Sequence, residues 1–286
     1  MAATLGRSVL VGLIGRGTAL SRTPLMHEAE GARQGLRYVY RRIDPAEMAA
    51  TPSFEEMLRA AEICGYAGVN VTHPYKQEAV SYLDDMSEEA RAVGAVNTIV
   101  LKDGRRVGHN TDLSGFAESF RRSMGGEPKG RVLLIGAGGA GSAVAHALLD
   151  SGVGTLLIAD TNRAGAEKLV AALEGRFGRG RAAVAPSAEA AAPDADGIVN
   201  ATPIGMADHP GMPLPVSLLD GRHWVIDIIY FPMETAFVRA AKAAGCRTAT
   251  GAGMALFQAV KAFELFTGLP ADPEAMRATF DSFGAE

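Results

Sequence analysis

Three groups of residues in this chain have the types and spacing that chemistry requires. The first is Lys76 in the stretch GVNVTHPYKQE, where an apolar run passes straight into a proline. Proline is pre-organised for the first helical position, so the stretch reads as a strand, a tight turn and a helix beginning at Pro74. The unpaired amides of such a helix end disfavour an ammonium, which is an odd placement for a structural cation; a solvated surface lysine is the plainer alternative. The second is Asp112 in GHNTD, at a strand-to-helix junction where aspartate is also a common N-cap. A carboxylate that holds an ammonium in place while a helix end weakens it would form a poised acid/base pair.

The third group is the turn in VLLIGAGGAG. Gly136, Gly138 and Gly141 stand in G-x-G-x-x-G spacing, with Ala137, Gly139 and Ala140 between them. The pattern supplies a tight turn, a close approach of backbone to a pyrophosphate, and close helix packing, with the phosphate at the helix N-terminus. A strand precedes it, a helix follows, and Asp160 ends the next strand at the expected distance. Asp160 can accept hydrogen bonds from the adenosine ribose of NAD, whereas a 2′-phosphate there would face a like charge. Arg163, in the first turn of the following helix, is the one cation nearby. The pattern therefore favours NAD over NADP.

Hydrophobic periodicity gives the elements that would position these groups. SVLVGLIG, a helix from about Pro24, YVYRRI, a helix near Phe54 to Cys64 and GVNVT alternate as βαβα, which implies a mostly parallel sheet. AVNTIVLKDGRRVGHNTD holds two strand-like runs around Asp103-Gly104, a hairpin dipeptide, and predicts an antiparallel edge. Asn97 and Asn110 fall on those strand ends, where they suit either alcohol groups or loop capping. A helix from about Leu113 to Ser123 leads into the joint GGEPKG. Beyond it, TLLIAD, GIVNAT and HWVIDI continue a second βα alternation, with Trp224 packed inside. Two last helices, about Ala252 to Thr267 and Pro273 to Phe283, have no strand after them and are expected to fold back onto the first half.

A chain of 286 residues suggests two domains. Residues 1–115, completed by 252–286, and residues 116–251 are the expected pair. A 48% hydrophobic share fits a substantial core, and a net charge of −4 offers no basic footprint for nucleic acid. Cys64 and Cys246 sit in apolar contexts and are expected to be buried, reduced thiols. The N-terminal MAATLGRSVLVGLIGRG is too short for a membrane span and lacks a signal-peptide pattern, so a cytoplasmic protein is expected. His27, His73 and the other histidines lack metal-ligand spacing, and no metal site is expected.

The motifs LSRTPLMH, NVTHPYKQ, GAVNTIV, GHNTD, GAGGAG, NATPIGM, DIIYFP and GAGMALFQA, in that order, resemble those of the shikimate dehydrogenases across essentially the whole chain. The resemblance implies an α/β fold, with an N-terminal α/β substrate domain, a Rossmann-type NAD-binding domain and a cleft between them. It implies that Lys76 and Asp112 are the catalytic pair, and that Ser21 and Thr23 bind the substrate carboxylate. Thr72, Asn97, Asn110 and Gln258 would contact ring hydroxyls, and Tyr230 would lie beside the substrate. Thr202, Met206 and Gly251 would join the glycine turn, Asp160 and Arg163 at the cofactor. Two departures stand out: Ser21-Arg22-Thr23 replaces the usual Ser-x-Ser, and Asp160-Thr161-Asn162 replaces the Asn-Arg-Thr run that holds the 2′-phosphate of NADP. Both are similar to the NAD-dependent quinate/shikimate dehydrogenases of actinobacteria. The resemblance thus implies a small-molecule enzyme, monomer or homodimer, oxidising the C3 hydroxyl of quinate or shikimate. The alternatives are an NADP-linked biosynthetic shikimate dehydrogenase, an aminoshikimate or aminoquinate dehydrogenase, and a ligand-sensing regulator.

Overall fold

The computed structural model describes residues 7–282. The first six residues, where the signal-peptide reading begins, and Phe283, the expected end of the tail helix, lie outside the described residues. The chain divides into two compact units, one gathering residues up to Thr111 with those from Leu256 onward, the other Asp112–Ala255.

Unit 1 runs β1 (Ser8–Ile14), α1 (Thr23–Arg33), β2 (Arg37–Ile43), α2 (Phe54–Ile63), β3 (Gly68–Val71), β4 (Asp85–Met86), α3 (Glu88–Val93), β5 (Thr98–Lys102) and β6 (Arg105–His109). The strands form one sheet in the order β2-β1-β3-β5-β6-β4. β2, β1 and β3 are parallel, and β5 and β6 run antiparallel. The hairpin between β5 and β6 turns on two left-handed residues, Asp103 at φ 53° and Gly104 at φ 72°, as an Asp-Gly pair requires. The expected antiparallel edge is modified: Asp85–Met86 pairs with Val107–Gly108, so the short β4 forms the edge outside β6. α2 begins with a capping box, Ser53 bonding the Glu56 amide and Glu56 returning to Ser53, and lays Phe54 and Leu58 against Val69, Val71 and Ile99. The opposite face, with Val9, Val11, Tyr38 and Tyr40, is covered by Ala262, Phe263 and Phe266.

Those covering residues belong to α9 (Ala252–Thr267), which together with α4 (Thr111–Met124) carries the chain across the division between the units. α10 (Pro273–Asp281) then packs along α1. Unit 2 runs β7 (Arg131–Ile135), α5 (Gly139–Asp150), β8 (Thr155–Ala159), α6 (Arg163–Phe177), β9 (Ala182–Val184), α7 (Ala188–Ala191), β10 (Gly197–Asn200), β11 (Trp224–Asp227), α8 (Ala236–Ala243) and β12 (Arg247–Thr250). All six strands are parallel, in the order β12-β11-β10-β7-β8-β9. This is the doubly wound order, with its topological switch point between β7 and β10. Trp224 is buried, edge-on to Phe120 at 5.3 Å, and donates its indole N–H to the Pro128 carbonyl at 2.7 Å.

Two sequence expectations are corrected here. No α-helix begins at Pro74. After β3 the chain makes a turn with a cis His73-Pro74 bond and reaches only a short 3₁₀ helix, Glu78–Tyr82. The physical reason is a competing partner: the Lys76 carbonyl is taken by the Val96 amide at 2.8 Å, so it is not available to a helical ladder. Lys76 therefore stands in the turn ahead of that 3₁₀ helix, not in the first turn of an α-helix. Cys64 is exposed, while Cys246 is buried as expected. Cys64 follows the last residue of α2, in a turn closed by Gly65 at φ 74°, where the buried stripe of α2 has already ended at Ala61. Among the described residues, no helix is long and apolar enough to cross a membrane, and no group of three or more His, Cys, Asp or Glu side chains is placed to hold a metal ion.

Candidate functional site

In unit 2 the candidate residues other than Asp112 follow the carboxyl ends of β7, β8, β10, β11 and β12. Gly136 sits at φ 106°, and a Cβ there would meet the Ala201 carbonyl carbon and oxygen at 2.8 Å. A Cβ on Gly141 would meet the Gly136 carbonyl oxygen at 2.1 Å, so this glycine lets α5 pack against the turn. Gly138 and Gly139 differ, because a Cβ on either meets no protein atom within 4 Å. Packing thus does not require those two glycines, and Gly138, the N-cap of α5, makes no side-chain capping bond. Open space in front of uncapped helix amides fits a pyrophosphate, with Ala137 and Ala140 half-buried alongside. Asp160 is fixed by two short bonds: its Oδ2 accepts from the Ala137 amide and its Oδ1 from the Asn162 amide, each at 2.6 Å. The carboxylate therefore ties the end of β8 to the glycine turn. Arg163 pairs with Glu167 at 2.9 Å along the exposed side of α6.

A buried network joins the next two loops. Asn200 and Asp227, in register at the ends of β10 and β11, are bonded at 3.0 Å. Asp227 also accepts from the Ile229 amide at 3.1 Å and the Thr235 hydroxyl at 2.7 Å, and Thr235 caps α8. Burial pushes the Asp227 carboxyl up, against these three donors, which pull it down. Asn200 Oδ1 accepts from both the amide and the hydroxyl of Thr202, at 3.0 and 2.7 Å, shaping the loop that leads to the exposed Met206. Tyr230 is half-buried in the loop after β11. The Gly251 amide donates to the Ile229 carbonyl at 3.1 Å, and a Cβ on Gly251 would lie 1.8 Å from the Ile228 oxygen. Sequence patterns did not single out Asn200, Asp227 or Thr235. The signal available was that a polar residue closes each of two adjacent four-residue apolar runs, GIVN and WVID. Asp112, the second residue of α4, is buried.

In unit 1, backbone bonds bring several candidates to one end of the sheet. The Val71 amide donates to the Asn97 carbonyl at 2.8 Å, and the Asn97 amide to the His109 carbonyl at 3.0 Å. With the Val96 to Lys76 bond, this draws Thr72, Lys76, Asn97 and Asn110 together. Tyr75 anchors the turn, buried and stacked on Phe54 with ring centres 5.4 Å apart. Asn97 is held by Thr111, whose amide donates to Oδ1 at 2.7 Å, and Asn110 Nδ2 donates to the Ala95 carbonyl at 3.0 Å. The loop after β1 is fixed by buried Asp44, which accepts from the Thr18 amide at 3.0 Å. Burial raises the Asp44 carboxyl, but bonds from the Thr18, Ala46 and Gly17 amides outweigh it and hold it below the usual range. Ser21 and Thr23 flank the start of α1, and Gln258 is half-buried on α9.

A doubly wound sheet with a glycine turn at its switch point places unit 2 in the class of dinucleotide-binding folds. Residues 13–99 match the shikimate dehydrogenase substrate binding domain, and residues 251–279 the shikimate 5′-dehydrogenase C-terminal domain. The chain is 50% identical to a shikimate dehydrogenase (NADP(+)) of Streptomyces avermitilis, over 96% of this chain and 94% of the relative. It is 49% identical to a quinate/shikimate dehydrogenase (NAD(+)) of Corynebacterium efficiens, over 96% and 98%. Quinate dehydrogenase from Corynebacterium glutamicum in complex with NAD superposes with a TM-score of 0.92 at 46% identity, over 97% of this chain and all of that one. The chain belongs to the shikimate dehydrogenase family, a family of oxidoreductases.

Proposed function

We propose that this chain oxidises the C3 hydroxyl of quinate, shikimate or both, with NAD as its cofactor. The observation that carries the cofactor choice is Asp160, whose carboxylate is locked onto the Ala137 and Asn162 amides where a 2′-phosphate would otherwise be received. Arg163, the cation that an NADP-linked relative would need, is engaged with Glu167. Relatives named for both cofactors match about equally well, so the site residues rather than the overall likeness support NAD.

The glycine turn from Gly136 to Gly141 and the α5 amides would hold the pyrophosphate, and Asp160 the adenosine ribose. Bound NAD supplies the acceptor for the hydride that leaves C3. The chain supplies the rest: Lys76 is the acid/base group that receives the proton of the C3 hydroxyl, and Asp112 orients the Lys76 side chain. Asn97, Asn110, Thr72 and Gln258 bind the ring hydroxyls, with Tyr230 beside the ring, and Ser21 and Thr23 hold the carboxylate. Thr202, Met206 and Gly251 contribute to the nicotinamide end. Initial rates for quinate and shikimate, each with NAD and NADP, test the reading. Activity on either acid with a strong NAD preference is expected; activity confined to shikimate with NADP would overturn the cofactor assignment.

A further inference from the structure

Helix α1 carries an arginine where helices ordinarily carry a capping side chain. Arg22 is its N-cap residue and makes no capping bond, although Ser, Thr, Asp or Asn would satisfy one of the open amides. Its buried guanidinium reaches α10 instead. Nη1 donates to the Phe280 carbonyl at 2.9 Å, and the guanidinium carbon lies 4.7 Å from the centre of the Phe280 ring. Phe280 stands in the last turn of α10, where carbonyls lack helical partners and positive charge is favoured. The other end of α1 is tied to the approach and start of α10. Glu30 accepts from the Asp272 amide at 3.0 Å, and Gln34 donates to the Pro270 carbonyl at 2.9 Å. The two helices run antiparallel and are fastened at both ends.

Ser21 and Thr23 lie on either side of Arg22, and the Thr23 amide reaches Ser21 Oγ at a long 3.4 Å. Rigidity at this corner therefore has a source outside the Ser-Arg-Thr segment, in the C-terminal helix. We propose that Arg22 is a positioning residue for the substrate carboxylate: by fastening the start of α1 to α10 it fixes the Ser21 and Thr23 hydroxyls relative to each other. This rests on the reading that those hydroxyls hold that carboxylate. Arginine suits the task better than lysine, because one planar group makes both the carbonyl bond and the ring contact.

The test is steady-state kinetics of Arg22→Met, Arg22→Lys and Ser21→Ala with shikimate, its methyl ester and NAD. Arg22→Met is expected to raise the KM for shikimate about tenfold, with kcat and the KM for NAD within twofold, and Arg22→Lys to recover part of the loss. For the methyl ester, which lacks the carboxylate charge, the Arg22→Met penalty should shrink to within twofold. An equal penalty on acid and ester, or a parallel fall of kcat and thermal midpoint in both arginine variants, would mean that Arg22 only supports the fold, and would overturn the proposal. Ser21→Ala separates the two levels. If Ser21→Ala raises the acid KM and Arg22→Met does not, the positioning role fails; if Ser21→Ala leaves it unchanged, the carboxylate reading itself fails.

Discussion

Replacing Asp160 by asparagine isolates the charge that selects the cofactor. One negative charge at about 4 Å from another costs about 4 kcal/mol at an effective dielectric of about 20, and about 1 kcal/mol in bulk water. Asp160 is half-buried, so the penalty on a 2′-phosphate falls between these limits, which corresponds to roughly 5- to 700-fold in relative kcat/KM. The substitution has a second effect. The new carboxamide would keep an acceptor for the Asn162 amide but turn a nitrogen toward the Ala137 amide, losing a charged hydrogen bond worth about 1.5–3 kcal/mol. That loss loosens the glycine turn for both dinucleotides, so it cancels in the ratio of their kcat/KM values. The assay is therefore nicotinamide reduction at a saturating acid substrate, with NAD and NADP each titrated. The NAD to NADP ratio should fall by the factor given, even as both absolute values drop. A ratio that moves less than about threefold would refute the like-charge account of Asp160.

Lys76→Ala should lower kcat by about 10²- to 10⁴-fold while the KM for the acid changes only a few-fold, as measured by steady-state kinetics. Asp227→Leu leaves the Asn200, Ile229 and Thr235 donors without their shared acceptor, and is expected to cost about 3–5 kcal/mol in urea unfolding followed by the single Trp224; a loss below about 1 kcal/mol would show the network to be dispensable. Burial among Tyr38, Tyr40, Phe263 and Phe266 pushes the His27 imidazole down to about 3 from 6.5, outweighing the Ala259 backbone, which favours the charged form. The unfolded chain thus binds a proton that the folded one refuses, so stability is full above about pH 6.5 and is lost as pH falls toward 3. Between pH 7.5 and 5.5 this group alone should remove about 1.4 kcal/mol, and a His27→Gln chain should lack that slope.

Much of this architecture is written in local patterns. The glycine turn, its flanking strand and helix, and Asp160 were legible because each local signal agreed with the next. The C-terminal helix Ala252–Thr267 was legible from periodicity and the lack of a following strand. β9 and β12 were not, since Ala182–Val184 is three residues long and Arg247–Thr250 alternates threonines without an apolar run. The segment after β3 misled for a different reason. Pro74 is a sound helix-start signal locally, but Val96, twenty residues beyond Lys76, donates to the Lys76 carbonyl that a helix would need. The Asn200–Asp227 knot is likewise non-local, a product of which strands become neighbours.

The order in which the chain is made meets the order in which its sheets can close. Unit 2 is one continuous stretch, whereas Val9, Val11, Tyr38 and Tyr40 of unit 1 find their covering residues, Ala262, Phe263 and Phe266, about 220 residues later. At roughly 5–20 residues per second, a ribosome leaves that sheet face bare for on the order of 10–45 seconds, while the inserted unit already has all its strands. A nascent chain arrested after Ala255 should accordingly bind a hydrophobic dye that the full-length protein does not. The last helices act as a latch on the first strands, and the first unit to be translated is the second to be finished.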